Sequence, residues 1–312
     1  MVLKQWFRKK VKSKQGNGLF VSLEELLDMR NYTAYMRNGV RDKTLSCQSG
    51  DIKSAFKGRG IEFEEIREYI FGDDVRDIDW RVTARKEHPY TKIYTEEKDY
   101  EIYVWLDLSA SMLFGSKNEL KSVLAAKITA LLGWLALENK DRFGCVVFDG
   151  AESFWFKPQN SRAQLLAILK KIAMISERIL KNPHQNLQDR AKSLKILEQN
   201  VRNKAAVFMV SDFGGMEDNI KKQLAALARR SKLFLLNVYD ILEEKPPKAG
   251  EYMAEYEGKR LIFDTVSKDY KHNYFTYFAE KKMLLKEFCQ KFGCHLLEFR
   301  TDRDIITNLK LL

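Results

Sequence analysis

Apolar residues gather in runs that end abruptly at a polar residue. Ile102-Tyr103-Val104-Trp105-Leu106 stops at Asp107, and Ala205-Ala206-Val207-Phe208-Met209-Val210-Ser211 stops at Asp212. Residues 143–148 and 233–239 form two further runs of this kind. Short continuous runs without alternation predict strands covered on both faces, as at the centre of a parallel sheet. Between them the apolar positions switch to helical spacing, which predicts helices over 117–139, 162–175, 187–199, 216–230, 274–292 and from 302 to the end. Upstream, Leu23, Leu26, Leu27 and Met29 behind Ser22-Leu23-Glu24-Glu25 predict an entry helix within 19–37 that starts on a capping box. Short strands are predicted at 91–94, 101–106, 153–156, 252–256, 260–264 and 295–299. Asp149-Gly150 and Glu257-Gly258-Lys259 mark hairpins. Residues 39–60 are polar and glycine-punctuated, and read as loop.

Strands alternating with helices imply an α/β fold: a doubly wound, mostly parallel, Rossmann-like central sheet with helices on both faces. A chain of 312 residues, 45% of them hydrophobic, can bury such a core and carry an accessory region as well. We divide it into a basic flexible N-terminus (1–18), an accessory segment (19–98) and the α/β domain (99–312).

Three function classes lose ground on composition. The apolar stretch 123–137 is interrupted by Lys127 and closed by Glu138, Lys140 and Asp141, short of the roughly 20 residues a spanning helix needs. With no apolar run and small-residue cleavage site after the basic N-terminus, a cytoplasmic location is expected. Cys47, Cys145, Cys289 and Cys294 contain no Cys-x-x-Cys pair, and His88, His184, His272 and His295 are isolated, so zinc and disulfide frameworks are not expected. The net charge of +11 is concentrated at Trp6-Phe7-Arg8-Lys9-Lys10-Val11-Lys12-Ser13-Lys14. That segment suits the anionic inner face of a membrane, where the protein would be peripheral, although a solvated terminus has the same composition. No nucleic-acid module is recognisable, and no specific nucleic acid is expected.

The strand ends carry the chemistry. Asp107-Leu108-Ser109-Ala110-Ser111 offers one carboxylate and two hydroxyls, hard oxygen donors suited to Mg²⁺ or Mn²⁺. Ligands of open α/β sheets sit outside the carboxyl ends of strands, where Asp212 would join them. A purely structural use of the same residues is a cap on the following helix.

The order strand, Asp107-x-Ser109-x-Ser111, helix, then strand-Asp212 resembles the metal-ion-dependent adhesion site of the von Willebrand factor A fold. The resemblance implies an Mg²⁺ site with one position open to a partner's carboxylate. The family's threonine is missing: its place falls in Pro183-His184-Gln185-Asn186, where Gln185 or Asn186 would be weaker ligands. A longer match precedes it. Gly58-Arg59-Gly60-Ile61-Glu62-Phe63-Glu64-Glu65-Ile66-Arg67-Glu68-Tyr69, Gly72-Asp73-Asp74-Val75-Arg76-Asp77-Ile78-Asp79-Trp80-Arg81 and Ala84-Arg85 are similar to the signature of a bacterial family called domain of unknown function 58. Its members look like von Willebrand A modules and are commonly encoded beside MoxR-type AAA+ ATPases.

In that signature Arg67, Arg76, Arg81 and Arg85 interleave with Asp73, Asp74 and Asp79 around Trp80. The pattern fits either a clamp of guanidinium–carboxylate pairs or a docking surface. The resemblance implies a non-catalytic adaptor or co-chaperone that pairs with a MoxR-type ATPase and an unidentified client. A metal-dependent phosphohydrolase is the competing enzyme class, but Ser109 stands where such enzymes use a second aspartate. The chain also lacks Gly-x-x-x-x-Gly-Lys-Ser/Thr, so no ATPase activity of its own is expected. A basic membrane-surface or nucleic-acid binder is the third class.

Overall fold

The computed structural model of the chain describes residues 18–33, 63–86, 88–94, 100–184, 187–245, 247–248, 250–256, 259–265 and 268–311. Among the described residues the first helix, α1 (Leu23–Asp28), precedes a small antiparallel pair, β1 (Phe63–Glu68) and β2 (Tyr90–Tyr94), with α2 (Trp80–Lys86) between them. The main domain then runs β3 (Glu101–Asp107), α3 (Lys121–Glu138), β4 (Arg142–Phe148), β5 (Ser153–Gln159), α4 (Arg162–Lys181), α5 (Leu187–Asn200) and β6 (Ala206–Ser211). It continues with α6 (Asp218–Arg230), β7 (Lys232–Tyr239), the single turn α7 (Ile241–Glu244) and the hairpin β8 (Glu251–Tyr256) and β9 (Lys259–Asp264). The long α8 (Lys268–Phe292), β10 (His295–Arg300) and α9 (Ile305–Leu311) end it.

Six strands form one sheet in the order β10-β7-β6-β3-β4-β5, parallel throughout except for the edge strand β5. The apolar runs explain the centre. Every residue of β3 is buried: Ile102, Val104 and Leu106 face one core cluster, while Tyr103 and Trp105 face the other. A strand with two apolar faces must be covered by helices on both, which makes the fold doubly wound, as the alternation of elements predicts. β5 is only half-buried and contains Pro158, tolerated where one side of the strand lacks a ladder partner. The chain steps outward from β3 to β4 and β5, then returns to place β6 on the other side of β3. That reversal opens a crevice beyond the carboxyl ends of β3 and β6, the place where Asp107 and Asp212 lie.

α3 is apolar on nearly all sides and buried accordingly, sandwiched between the sheet and α1 with α4. Among the described residues no helix is long and apolar enough to cross a membrane. The entry helix is part of this core: Val21, Leu26 and Met29 are buried, and Trp134 Nε1 donates to the Leu26 carbonyl at 3.1 Å. Its capping box forms as the sequence predicts, with Glu25 N donating to Ser22 Oγ at 3.2 Å and Ser22 N to Glu25 Oε2 at 2.9 Å. Ser22→Ala should therefore lower stability by about 1 kcal/mol, read from urea midpoints. A change within error would mean that packing alone holds α1.

Some boundaries differ from the periodicity. α3 begins at Lys121 and not at 117, because Ser116 gives its N–H and hydroxyl to Asp240 and Leu120 N donates to the Gly18 carbonyl, so these N–H groups serve loops. α4 runs on to Lys181, α8 starts at Lys268, and β5 extends to Gln159. β1, α2 and α7 were not predicted; Phe63–Glu68 is too rich in charge to show a strand period. The loop expected at 39–60, the basic N-terminus and Cys47 lie outside the described residues.

Candidate functional site

Asp107 ends β3 fully buried, and both its oxygens are used. Oδ1 accepts the Ser109 N–H at 3.0 Å, folding the loop back on the strand end. Oδ2 accepts from Ser211 Oγ at 2.7 Å, across the β3–β6 crevice, and from Arg190 Nη2 at 2.9 Å. Arg190 comes from the first turns of α5 with only 5% of its side chain exposed. Its Nη2 also lies 3.3 Å from Ser109 Oγ, and its Nη1 donates to the Gly214 carbonyl at 2.5 Å in the loop after β6. One guanidinium therefore ties together the two loops that the sheet order brings side by side. A charge-assisted fork in a dry site is a strong device for that purpose.

Asp212 follows β6 and is neutralised from the other face of the sheet. Lys121, the first residue of α3, donates its ammonium to Asp212 Oδ2 and to Glu243 Oε1, each at 2.9 Å. Asp212 Oδ1 takes the Gly214 N–H at 3.0 Å. Burial pushes the Asp212 carboxyl up, but Lys121, Lys281 of α8 and the Gly214 N–H outweigh it and hold the group well below its ordinary value. Burial likewise works against the Lys121 ammonium, and the two carboxylates around it raise its pKa on balance. Lys281 lacks such close partners: burial, with Lys121 and Arg190 nearby, lowers its pKa despite Asp212 and Glu243. Behind this layer, the buried strand-end Asp240 accepts from Ser116 and Thr301 and caps α7, whose Glu243 returns a bond to the Asp240 N–H at 2.8 Å.

The predicted residues are thus assembled at one sheet edge, linked through Gly214. Ser109 stands at the head of the short turn Ala110–Met112 without making a side-chain cap; its Oγ faces Arg190 and lies 3.4 Å from Ser111 Oγ. The loop expected to carry the third ligand does abut the first one: the His184 carbonyl accepts from Ala110 N at 2.9 Å. Gly150 makes this approach feasible, since a Cβ there would run into the His184 carbonyl. Gln185 and Asn186 lie outside the described residues. Sequence reasoning missed Arg190, Lys121 and Glu243. Arg190 did leave a signal, because it falls in phase with Ser193, Leu194 and Leu197, all buried on the same helix face.

A divalent cation at the adhesion-type position would need oxygens of Asp107, Ser109, Ser111 and Asp212 turned toward one point. Asp107 instead spends its oxygens on Arg190, Ser211 and a backbone N–H, and Asp212 spends its own on Lys121 and Gly214. Side-chain cations already hold these carboxylates. Asp107 is paired with Arg190, and Asp212 and Glu243 share Lys121. As arranged, these residues do not fit Mg²⁺ or Mn²⁺.

The charged signature builds the β1–β2 unit. Arg67 Nη2 pairs with Asp73 Oδ1 at 2.7 Å, and Asp73 Oδ2 accepts the Ile70 N–H, bonds that together hold the Asp73 carboxyl below its usual range. Asp74 caps a short turn through Arg76 N, and Asp79 receives Arg81 N and Val82 N at the head of α2. Trp80 does not sit inside a clamp: it is 67% exposed, alongside the exposed Ile70, Phe71 and Val75. Arg76, Arg81 and Arg85 are exposed too.

The family model described as "Protein of unknown function DUF58" matches residues 65–283. The chain is 26% identical over 271 residues to "Uncharacterized protein Rv1480" of Mycobacterium tuberculosis, covering 86% of this chain and 84% of that protein. The same figures hold for "Uncharacterized protein Mb1516" of Mycobacterium bovis. Among solved structures it is similar to the conserved hypothetical protein BatB from Bacteroides thetaiotaomicron, at 13% identity over 67% of this chain and 93% of that one, with a TM-score of 0.39. An aerotolerance-related membrane protein from Bacteroides fragilis is similar at 12% identity, 68% and 95% coverage and a TM-score of 0.40. Strand order and register, and not these likenesses, establish the fold.

Proposed function

The chain belongs to the family described as "Protein of unknown function DUF58", and on that premise we propose that it is a non-catalytic interaction module, the cytoplasmic adaptor of a MoxR-type AAA+ ATPase to which it presents a client protein. The observation that carries this reading is the exposed apolar surface of the family signature. Ile70, Phe71, Val75 and Trp80 are exposed within one short stretch, Phe71 completely. Large apolar side chains grouped on a surface mark contact sites, and tryptophan and arginine are the residue types that most often anchor them. Arg76, Arg81 and Arg85 of the same stretch are exposed as well.

The sheet-edge centre supports the same reading from the other direction. A general base or nucleophile needs an oxygen free to meet substrate, whereas the Asp107 oxygens are taken up by Arg190, Ser211 and Ser109 N. The role assigned to the α/β domain is therefore to hold a surface in place.

The test is association of the full chain with the ATPase, measured by calorimetry. The double substitution Phe71→Ala with Trp80→Ala should weaken binding by about tenfold or more, the loss typical of removing an interface anchor. Its circular dichroism and melting should stay those of the parent, because both side chains are exposed. Undiminished affinity would move the docking surface elsewhere.

A further inference from the structure

We infer that the adhesion-type centre of this chain works without a metal, the Arg190 guanidinium standing in the place and the role of the divalent cation. In the metal-bound arrangement an ion would join the loop after β3 to the loop after β6 by drawing oxygens from both. Arg190 performs that joining here. Its two terminal nitrogens reach Asp107 Oδ2 at 2.9 Å and Ser109 Oγ at 3.3 Å in the first loop, and the Gly214 carbonyl at 2.5 Å in the other.

Three features oppose exchange of this guanidinium for a metal. Asp107 is fully buried and Arg190 nearly so, so an ion entering would strand a desolvated cation. The second carboxylate is held from the opposite face by Lys121, itself 2% exposed and bridged to Glu243. With Arg190 on Asp107 and Lys121 on Asp212, each strand-end carboxylate already carries a buried cation that an added divalent ion would have to face at close range. Arg190 is placed by α5 packing, not by the loop that carries the threonine in the metal-binding pattern. Trp105 Nε1 donates to Ser193 Oγ at 2.8 Å, and Leu194 and Leu197 are buried on the same helix face. The missing threonine and the buried arginine are thus two aspects of one substitution of charge for metal.

The inference does not depend on the adaptor role. It predicts that a partner's carboxylate cannot complete a coordination shell at Asp107, so any association through the signature surface should be indifferent to EDTA.

The experiment is Mn²⁺ titration of the full chain, followed by the electron paramagnetic resonance of free Mn²⁺, with melting measured in Mg²⁺ and in EDTA. The parent protein should take up no Mn²⁺ at millimolar concentration and should melt at one temperature in both media. Arg190→Gln should bind Mn²⁺ at least about tenfold more tightly than the parent, since it frees Asp107 Oδ2 and removes a repelling charge. Stoichiometric uptake by the parent that Asp107→Asn abolishes would overturn the inference, and so would a folded Arg190→Gln protein that binds no better than the parent. If Arg190→Gln fails to fold, the parent measurements decide the question alone.

Discussion

Arg190→Ala is expected to lower the stability of the chain by about 3–5 kcal/mol, the cost of breaking a buried ion pair and leaving one charge unpaired. The charge left behind is Asp107, which has no exposed surface and would keep only Ser211 Oγ and the Ser109 N–H. The loss should appear as a lower urea midpoint with an unchanged slope. Arg190→Lys should recover only part of it, because a single ammonium cannot span Asp107, Ser109 and Gly214 as the planar fork does. The combination Asp107→Asn with Arg190→Met should be milder than the sum of its parts, since it removes both charges together. A loss below about 1 kcal/mol for Arg190→Ala is what a solvated surface pair gives, and it would show that water reaches this centre.

The contrast between Asp107 and Arg190 shows which part of such a centre a sequence can reveal. Asp107 and Asp212 were legible because Asp107 closes an apolar run and Asp212 follows another after the single polar Ser211, and a strand of that kind has one place to go, the middle of a covered sheet. From the alternation of elements it then followed that both ends lie at the same sheet edge, where the structure puts them. Arg190 and Lys121 meet those carboxylates across 83 and 91 residues of chain, and no local pattern records which buried cation faces which strand end. Their phases were readable all the same. Arg190 sits on the stripe of Ser193 and Leu194, and Lys121 opens a helix with almost no polar face, so each was a charge in a position that only a partner makes tolerable. β1 was missed for the opposite reason, although its partner β2 was expected at 91–94. β1 is short and mostly charged, so its pairing with Tyr90–Tyr94 comes from tertiary contact and not from periodicity.

Lys121→Met carries the second large effect, and its dependence on pH distinguishes charge from packing. At neutral pH the substitution should cost about 3–5 kcal/mol, because Asp212 and Glu243 lose a shared cation and Asp212 is almost wholly buried. In the parent, the Asp212 carboxyl is held below its ordinary value of 3.8, so its contribution is complete above that value and disappears only as pH falls through the lower folded one. The Lys121 ammonium is held above 10.5, so its contribution is complete below that value and disappears as pH rises through the higher folded one. The stabilisation due to the pair should therefore be flat between these limits. In Lys121→Met the chief group opposing burial of Asp212 is gone, so its carboxyl rises and takes up a proton in mild acid, relieving the variant while the parent stays unchanged. The gap between parent and variant urea midpoints should thus narrow steadily as pH is lowered from 7 toward about 4. Asp212→Asn in the same background should remove the narrowing, because nothing is left to protonate there. A gap that stays constant over this range would show that Asp212 does not take up a proton in the variant, and that the loss does not come from leaving its charge buried without Lys121.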